Sequence, residues 1–179
     1  DAVPDEDTDR LFASTPETVG PWRVGEQVGT GGMGMVYRAE RNDGAFEQTV
    51  ALKLIKRGMD SDAVLRRFQA ERRILARLEH PGIARLIDGG LAEDGRPYLA
   101  MEFVEGESIT DYCTRHQLDV EARLDLFRQA CEAVEYAHRQ LVVHRDLKPA
   151  NVLLDTKGEP LITDFGLAKQ DAGEGLTKT

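Results

Sequence analysis

His144-Arg145-Asp146-Leu147-Lys148-Pro149-Ala150-Asn151, with Asp164-Phe165-Gly166 a short way downstream, is the stretch that decides how this chain reads. It sets two acids, an amide and a lysine on two neighbouring loops. Carboxylate and amide oxygens are hard donors that suit magnesium, and an ammonium suits phosphate. An acid beside such a set can steer a hydroxyl nucleophile.

Working outward, the flanks alternate between two patterns. Trp22 to Val28, Met35 to Glu40 and Gln48 to Ile55 read as strands, with a glycine cluster after the first and the Asn42-Asp43-Gly44 turn after the second. In the third, Ala51, Lys53 and Ile55 share one face and Val50, Leu52 and Leu54 the other. Ile83 to Ile87 and Tyr98 to Phe103 are two further apolar runs, which predicts an antiparallel sheet of about five strands. A helix is expected from about Ser61 to Leu78, capped by Asp60 or Ser61, with Val64, Phe68, Leu75 and Leu78 on one stripe. Glu71 falls on that same stripe, and a carboxylate on an apolar face calls for a cation.

Beyond Glu102 to Gly106, which reads as a linker, the pattern turns helical at Ser108 to His116 and Glu121 to Gln140. Leu124, Phe127, Cys131, Val134 and Ala137 are the expected buried face of the longer helix. Short strands are expected at Leu141 to Val143, Val152 to Leu154 and Pro160 to Ile162. A sheet with one helix followed by helices predicts an α+β chain of two unlike lobes.

Bulk properties agree with a soluble globular chain: of its 179 residues 41% are apolar and 31% charged. The net charge is -9, and Asp1, Asp5, Glu6, Asp7, Asp9 and Glu17 against Arg10 supply -5 of it. Residues 1–19 therefore read as an acidic, disordered leader. No basic stripe points to nucleic acid and no apolar run is long enough for a membrane. Cys113 and Cys131 lack metal-ligand spacing, and Cys131 reads as a reduced core residue, so a cytoplasmic compartment is the default.

Gly29-Thr30-Gly31-Gly32-Met33-Gly34 followed by Met35-Val36 matches GxGxxGxV. Such glycines let backbone amides approach phosphate, but a plain hairpin turn reads the same way. A dinucleotide fingerprint would open into a helix, whereas Met35 to Glu40 has strand character, and no GK[ST] follows for a Walker loop. Val50-Ala51-Leu52-Lys53 places a lysine on the face of Ala51.

With these motifs together, the chain resembles the protein kinase family, and HRDLKPAN resembles its serine/threonine branch. GTGGMGMVYRA and DFGLAK resemble its bacterial, eukaryotic-like members. An eight-residue run followed by DFG at this spacing is a specific match, and the likeness spans about Trp22 to Lys169. It implies a bilobal kinase fold, with the small lobe over 20–103 and the hinge and part of the large lobe over 104–179. It also implies roles. Gly29 to Gly34 and Lys53 hold the phosphates of ATP, and Glu71 pairs with Lys53. Met101 is the gatekeeper, the backbones of Glu102 and Val104 meet the adenine, and Val28, Val36, Ala51 and Leu153 wall it. Asp146 is the catalytic base and Lys148 neutralises the transferring phosphoryl group. Asn151 and Asp164 hold magnesium, or manganese in its place. Leu75, Leu86, His144 and Phe165 match the hydrophobic stack between the lobes. Arg145 matches an arginine that binds activation-loop phosphate, and Thr177 and Thr179 are candidate phosphosites.

The implied activity is transfer of the γ-phosphoryl group to serine or threonine hydroxyls of proteins, autophosphorylation included. The implied partners are ATP, protein substrates and a second copy joined through the small lobe. Thr179 is followed by no APE motif and by none of the family's later helices, so the match is to a domain cut short. That leaves two rivals: a nucleotide-binding or interaction module without turnover, and a small-molecule kinase of related fold. Lys148 argues against the latter. A membrane tether would belong to regions outside this chain.

Overall fold

Alternation along the strands builds the first half of the molecule. The structure is a computed structural model that describes residues 15–31, 34–44, 46–56 and 62–165, with the side chains at 62–64, 67 and 71 outside that set. One antiparallel sheet contains β1 (Thr18–Val19), β2 (Trp22–Gly31), β3 (Gly34–Arg41), β4 (Thr49–Ile55), β5 (Leu86–Leu91) and β6 (Pro97–Glu102). Their spatial order is β1-β2-β3-β4-β6-β5. Tyr37, Leu52 and Ala100 stand in register across β3, β4 and β6. They join Val19, Trp22, Val50, Leu54 and Tyr98 in a buried cluster on one face of the sheet. The other face carries Val36, Lys53 and Leu99 in one rank and Arg38, Ala51 and Met101 in the next.

The sheet has six strands rather than about five. The extra one comes from the segment grouped with the leader. Thr18 and Val19 pair with Arg23 and Trp22, Val24 N–H donates to Glu17 O, and Val19 is fully buried. Residues 1–14 of the expected leader lie outside the described residues.

α1 (Asp62–Leu75) joins β4 to β5. Phe68, Leu75 and Leu78 are buried as the stripe predicts, while the expected caps Asp60 and Ser61 and the side chains of Val64 and Glu71 lie outside the described set. The run Ile83 to Ile87 does not form a strand over that range. β5 starts only at Leu86, and Ile83 makes an isolated parallel bridge to Ile162 in the other lobe. Ile83 is thus spent on joining the lobes.

The second half begins with β7 (Gly106–Ser108) and α2 (Ile109–Arg115), which Ser108 caps by accepting the N–H of Asp111 at 3.2 Å. α3 (Val120–Arg139) follows, capped by Asp119. A 3-10 turn at Pro149–Asn151 leads into β8 (Val152–Asp155) and β9 (Pro160–Ile162), which with β7 make a small sheet in the order β7-β8-β9. Leu141 to Val143 is not a strand. Leu141 N–H closes the helix onto His138 O, and Leu141 itself has φ 60°.

Ala137 is buried and Val134 packs against the core as expected, but the rest of the buried face of α3 differs from the sequence expectation. Leu126, Ala130, Ala133 and Ala137 face inward, while Leu124 and Phe127 are 61% and 63% exposed and Cys131 is exposed too. The helix carries two apolar stripes, and the one built of alanine allows the closer approach to β9. A Cβ added to Gly82 would stand 3.1 Å from that of Ala133, so the small-lobe turn also lies close against this face of α3. Leu75, Leu78, Ile83, Val142, Val152, Ile162 and Phe165 complete the cluster that binds the lobes.

Two glycines with positive φ separate steric from backbone effects. Gly20 has φ +55° and a Cβ there would meet Tyr98 Oη at 2.5 Å, whereas Gly44 has φ +72° with nothing within 4 Å. Gly44→Ala should cost about 1–2 kcal/mol of unfolding free energy, the left-handed penalty alone. Gly20→Ala should cost roughly 1–3 kcal/mol more from overpacking. Chemical denaturation of the two variants measures both, and equal losses would contradict the account.

Candidate functional site

The small-lobe half of the cleft is set by strand register. Val36 opposes Lys53, and Ala51 opposes Met101, so these side chains share the sheet face turned away from the small-lobe core. Val28 lies between Gln27 and Gly29, whose partners are Tyr37 and Val36, at an irregularity in the β2–β3 pairing. Val28 is 46% exposed. Gly32 and Met33 lie outside the described residues. Glu102 N–H donates to Arg85 O at 2.8 Å, and its carboxylate accepts from Arg85 N–H at 3.2 Å, which anchors the segment leading to Val104. Arg38 stands over the ring of Phe103, 5.7 Å from its centroid.

The large-lobe half is assembled by hydrogen bonds around two loops. His144 is buried, and its Nε2 lies 2.8 Å from Thr163 O while Nδ1 accepts the N–H of Asp146 at 3.3 Å. With Nδ1 as acceptor, Nε2 carries the proton and donates. Asn151 Nδ2 donates to Asp146 O at 2.8 Å, and Asn151 O receives Thr163 N–H at 2.9 Å. Thr163 therefore ties the loop 144–151 to the residue just before Asp164. Arg145 and Asp164 both adopt left-handed backbone, with φ 65° and 60°. This is a strained choice for residues with a Cβ, worth about 1–3 kcal/mol each. At Asp164 it turns the chain so that Phe165 meets His144, ring centroids 4.6 Å apart.

The two halves meet at Lys53. Its Nζ donates to Asp164 Oδ1 at 2.8 Å, across 111 residues of sequence, with both side chains largely shielded from water. Lys148 Nζ sits 2.9 Å from Asp146 Oδ2. Burial holds the His144 imidazole below its ordinary pKa, and this outweighs the opposing pull of Thr163 O and of the carboxylates of Asp164 and Asp146.

The structure thus brings Lys53, Asp164, Asn151, Asp146 and Lys148 into one hydrogen-bonded neighbourhood. Leu153 points away from the buried Val152 and Leu154 by strand alternation. Leu75 and Phe165 lie in one buried cluster with Leu86 at its margin, and His144 closes on Phe165. The expected Lys53–Glu71 pair falls outside the described side chains, as do Gly166, Thr177 and Thr179. Sequence reasoning missed Thr163, Gly82 and Tyr136. Ile162 N–H donates to Gly82 O at 2.9 Å, and Ala84 N–H to Ile162 O at 3.0 Å, which stitches the small lobe to β9. Tyr136 Oη accepts Glu79 N–H at 3.2 Å and holds the same turn on α3. Only the position of Thr163 next to Asp164 could have drawn attention to it.

Residues 22–179 match the family model described as the protein kinase domain. This chain belongs to the protein kinase family. Serine/threonine-protein kinase PknA of Mycobacterium tuberculosis is 39% identical over 166 residues, covering 89% of this chain and 38% of PknA. PrkC of Bacillus subtilis is 35% identical, covering 89% of this chain and 24% of PrkC. The crystal structure of the M. tuberculosis PknI kinase domain superposes with a TM-score of 0.72 at 34% identity, over 86% of this chain and 62% of that one. The kinase chain described here therefore spans well under half the length of these curated relatives. No helix among the described residues is long and apolar enough to cross a membrane.

Protein kinase domains work with ATP and a divalent metal, and Asn151 and Asp164 have the chemistry to fit such a metal. The amide nitrogen of Asn151 is taken up by Asp146 O, which leaves its carbonyl oxygen as a donor. Asp164 already attracts a cation, the ammonium of Lys53. A neutral and a charged oxygen are a hard donor pair of the kind magnesium takes alongside phosphate and water.

The buried imidazole gives a pH test of this kinase loop. The folded chain keeps His144 neutral where the unfolded chain protonates it, near the ordinary value of 6.5. The unfolded state then binds more protons, so stability falls as pH drops through that range and levels off below the folded value. Urea denaturation between about pH 7 and 5.5 should show this slope, at most about 1.4 kcal/mol per pH unit for one proton, and His144→Phe should remove it. Parallel curves for the two proteins would refute the assignment.

Proposed function

We propose that the protein is a serine/threonine kinase that transfers the γ-phosphoryl group of ATP to protein hydroxyls, its own included. The observation that carries this reading is the Lys53–Asp164 contact at 2.8 Å, which joins the phosphate-facing strand to the candidate metal loop. Adenine lies between Val28, Val36, Ala51, Met101 and Leu153, with its edge on the backbone of Glu102 and Val104. Gly29 to Gly34 cover the phosphates with backbone N–H groups, and Lys53 holds them by charge. Glu71 pairs with Lys53 and aims its ammonium at the phosphates. Asn151 and Asp164 hold magnesium, which when bound neutralises charge between the phosphates.

Asp146 accepts the hydrogen bond of the incoming serine or threonine hydroxyl and orients its oxygen towards phosphorus. Lys148, 2.9 Å from that carboxylate, offers a positive charge where the transferring group gains negative charge. Asp146 is aimed from both sides, by its N–H on His144 and its O on Asn151. Lys148, two residues after Asp146, is the feature that favours a protein hydroxyl over a small alcohol, since the serine/threonine kinases this chain resembles carry a lysine there.

In the full-length protein, Asp146→Asn and Lys53→Met should each lower kcat for phosphorylation by about 10²- to 10⁴-fold. Radiolabelled transfer from ATP measures the rates, and phosphoamino-acid analysis of the product should give phosphoserine or phosphothreonine. Near-wild-type transfer by both variants, or label found only on a small molecule, would sink the assignment. Tight binding of Mg-ATP by the wild type with no transfer would point instead to a nucleotide-binding module.

A further inference from the structure

Arg72 is an arginine on α1 that the catalytic reading leaves unused, and its surroundings are built to hold it. Its Nη1 donates to Gly89 O. β5 is the last strand of the sheet, so carbonyls on its outer edge have no ladder partner and remain open to a side chain. Gly89 also makes the space: a Cβ there would stand 2.9 Å from Arg72 Cδ and 3.0 Å from Leu99 Cδ2.

The carbonyl is held in turn by the residue before it. Asp88 Oδ2 accepts from Trp22 Nε1 at 3.1 Å and from Tyr98 Oη at 3.2 Å. Trp22 is fully buried, and burial first, then the Asp88 carboxylate, push the Tyr98 hydroxyl up to about 12, so it stays protonated and donates. Gly20 and Gly90 clear room around the same ring, with added Cβ atoms falling 2.5 Å and 3.2 Å from its Oη. Every member of this cluster belongs to the sheet or its approach except Arg72, which belongs to the helix.

Arg72 directly follows Glu71, and both lie in the turn between the buried Phe68 and Leu75. A hydrogen bond from this turn to a fixed edge carbonyl sets both the height of α1 along the sheet and its rotation. Apolar contacts from Phe68 and Leu75 alone are non-directional and fix rotation poorly. We propose that Arg72 is a positioning residue for phosphoryl transfer: its grip on the Gly89 carbonyl sets α1 so that Glu71 is presented to Lys53. The inference rests on the reading of Glu71 as the partner of Lys53 in the nucleotide-bound kinase.

A double-mutant cycle on the full-length protein tests it. Arg72→Met, Glu71→Gln and the double variant are compared for kcat and for KM of Mg-ATP, with thermal denaturation alongside. Arg72→Met is expected to lower kcat about 10- to 100-fold, the scale of a small misplacement of a positioned group. In the Glu71→Gln background the same substitution should cost almost nothing more, because Arg72 acts only through Glu71. Should Arg72→Met fail to fold, Arg72→Lys, which keeps the charge and stem but loses the guanidinium fork, takes its place under the same criterion. Losses that multiply in the double variant, with Glu71→Gln itself impaired, would overturn the role of Arg72 and leave that of Glu71 standing. An unimpaired Glu71→Gln would overturn the reading of Glu71 and the inference with it.

Discussion

Ile162 and Thr163 are gripped from three directions, and the position of Asp164 follows from that. Gly82 O and Ala84 N–H hold Ile162 from the small lobe, Asn151 O takes Thr163 N–H, and His144 donates to Thr163 O. The small-lobe turn is itself braced, since Gly82 N–H donates to His80 Nδ1 at 3.0 Å and the His80 ring lies 5.0 Å from that of Tyr136. Each such bond is worth about 0.5–1.5 kcal/mol net, but an unpaired buried partner costs more than that. Together they are large enough to hold Arg145 and Asp164 in left-handed backbone, which neither would adopt alone.

The Lys53–Asp164 pair then acts on direction more than on stability. Both groups lose water in making it, and that desolvation offsets most of the Coulomb gain. Moving a single partner away would leave a shielded charge unmatched, so the pair keeps the two lobes in register along one line.

Much of this was legible because it depends on short-range chemistry. The loop 144–151, Asp164 and Lys53 carry their signal in residue type and spacing, and strand alternation placed Ala51 and Lys53 correctly on the face opposite Leu52. What escaped was set by tertiary partners. Periodicity offered two apolar stripes on α3 and could not tell that alanines, not Leu124 and Phe127, cross β9. Ile83 looked like a strand residue because its pairing with Ile162, far along the chain, leaves no local mark. Val19 sat beside an acidic run that masked its role as the buried end of the sheet. Thr163 acts mainly through its backbone, and backbone bonds are invisible in residue type.

The first strand, just ahead of the family match, and Trp22, where the match begins, are tied into the same design. Val19 and Trp22 are fully buried, and Trp22 reaches Asp88, the residue of β5 just before Gly89. Asp88 is a carboxylate in a largely apolar cluster, and such a group is tolerated only when its acceptor sites are filled. Trp22 and Tyr98 both donate to its Oδ2 from different strands, and each bond fails if its strand slips by one residue, because a slip turns the side chain to the other face. Apolar burial on this side of the sheet would accept several registers; the shared carboxylate accepts one. Register fixed at Asp88 is carried one residue along β5 to Gly89, and from there to the helix that faces the site.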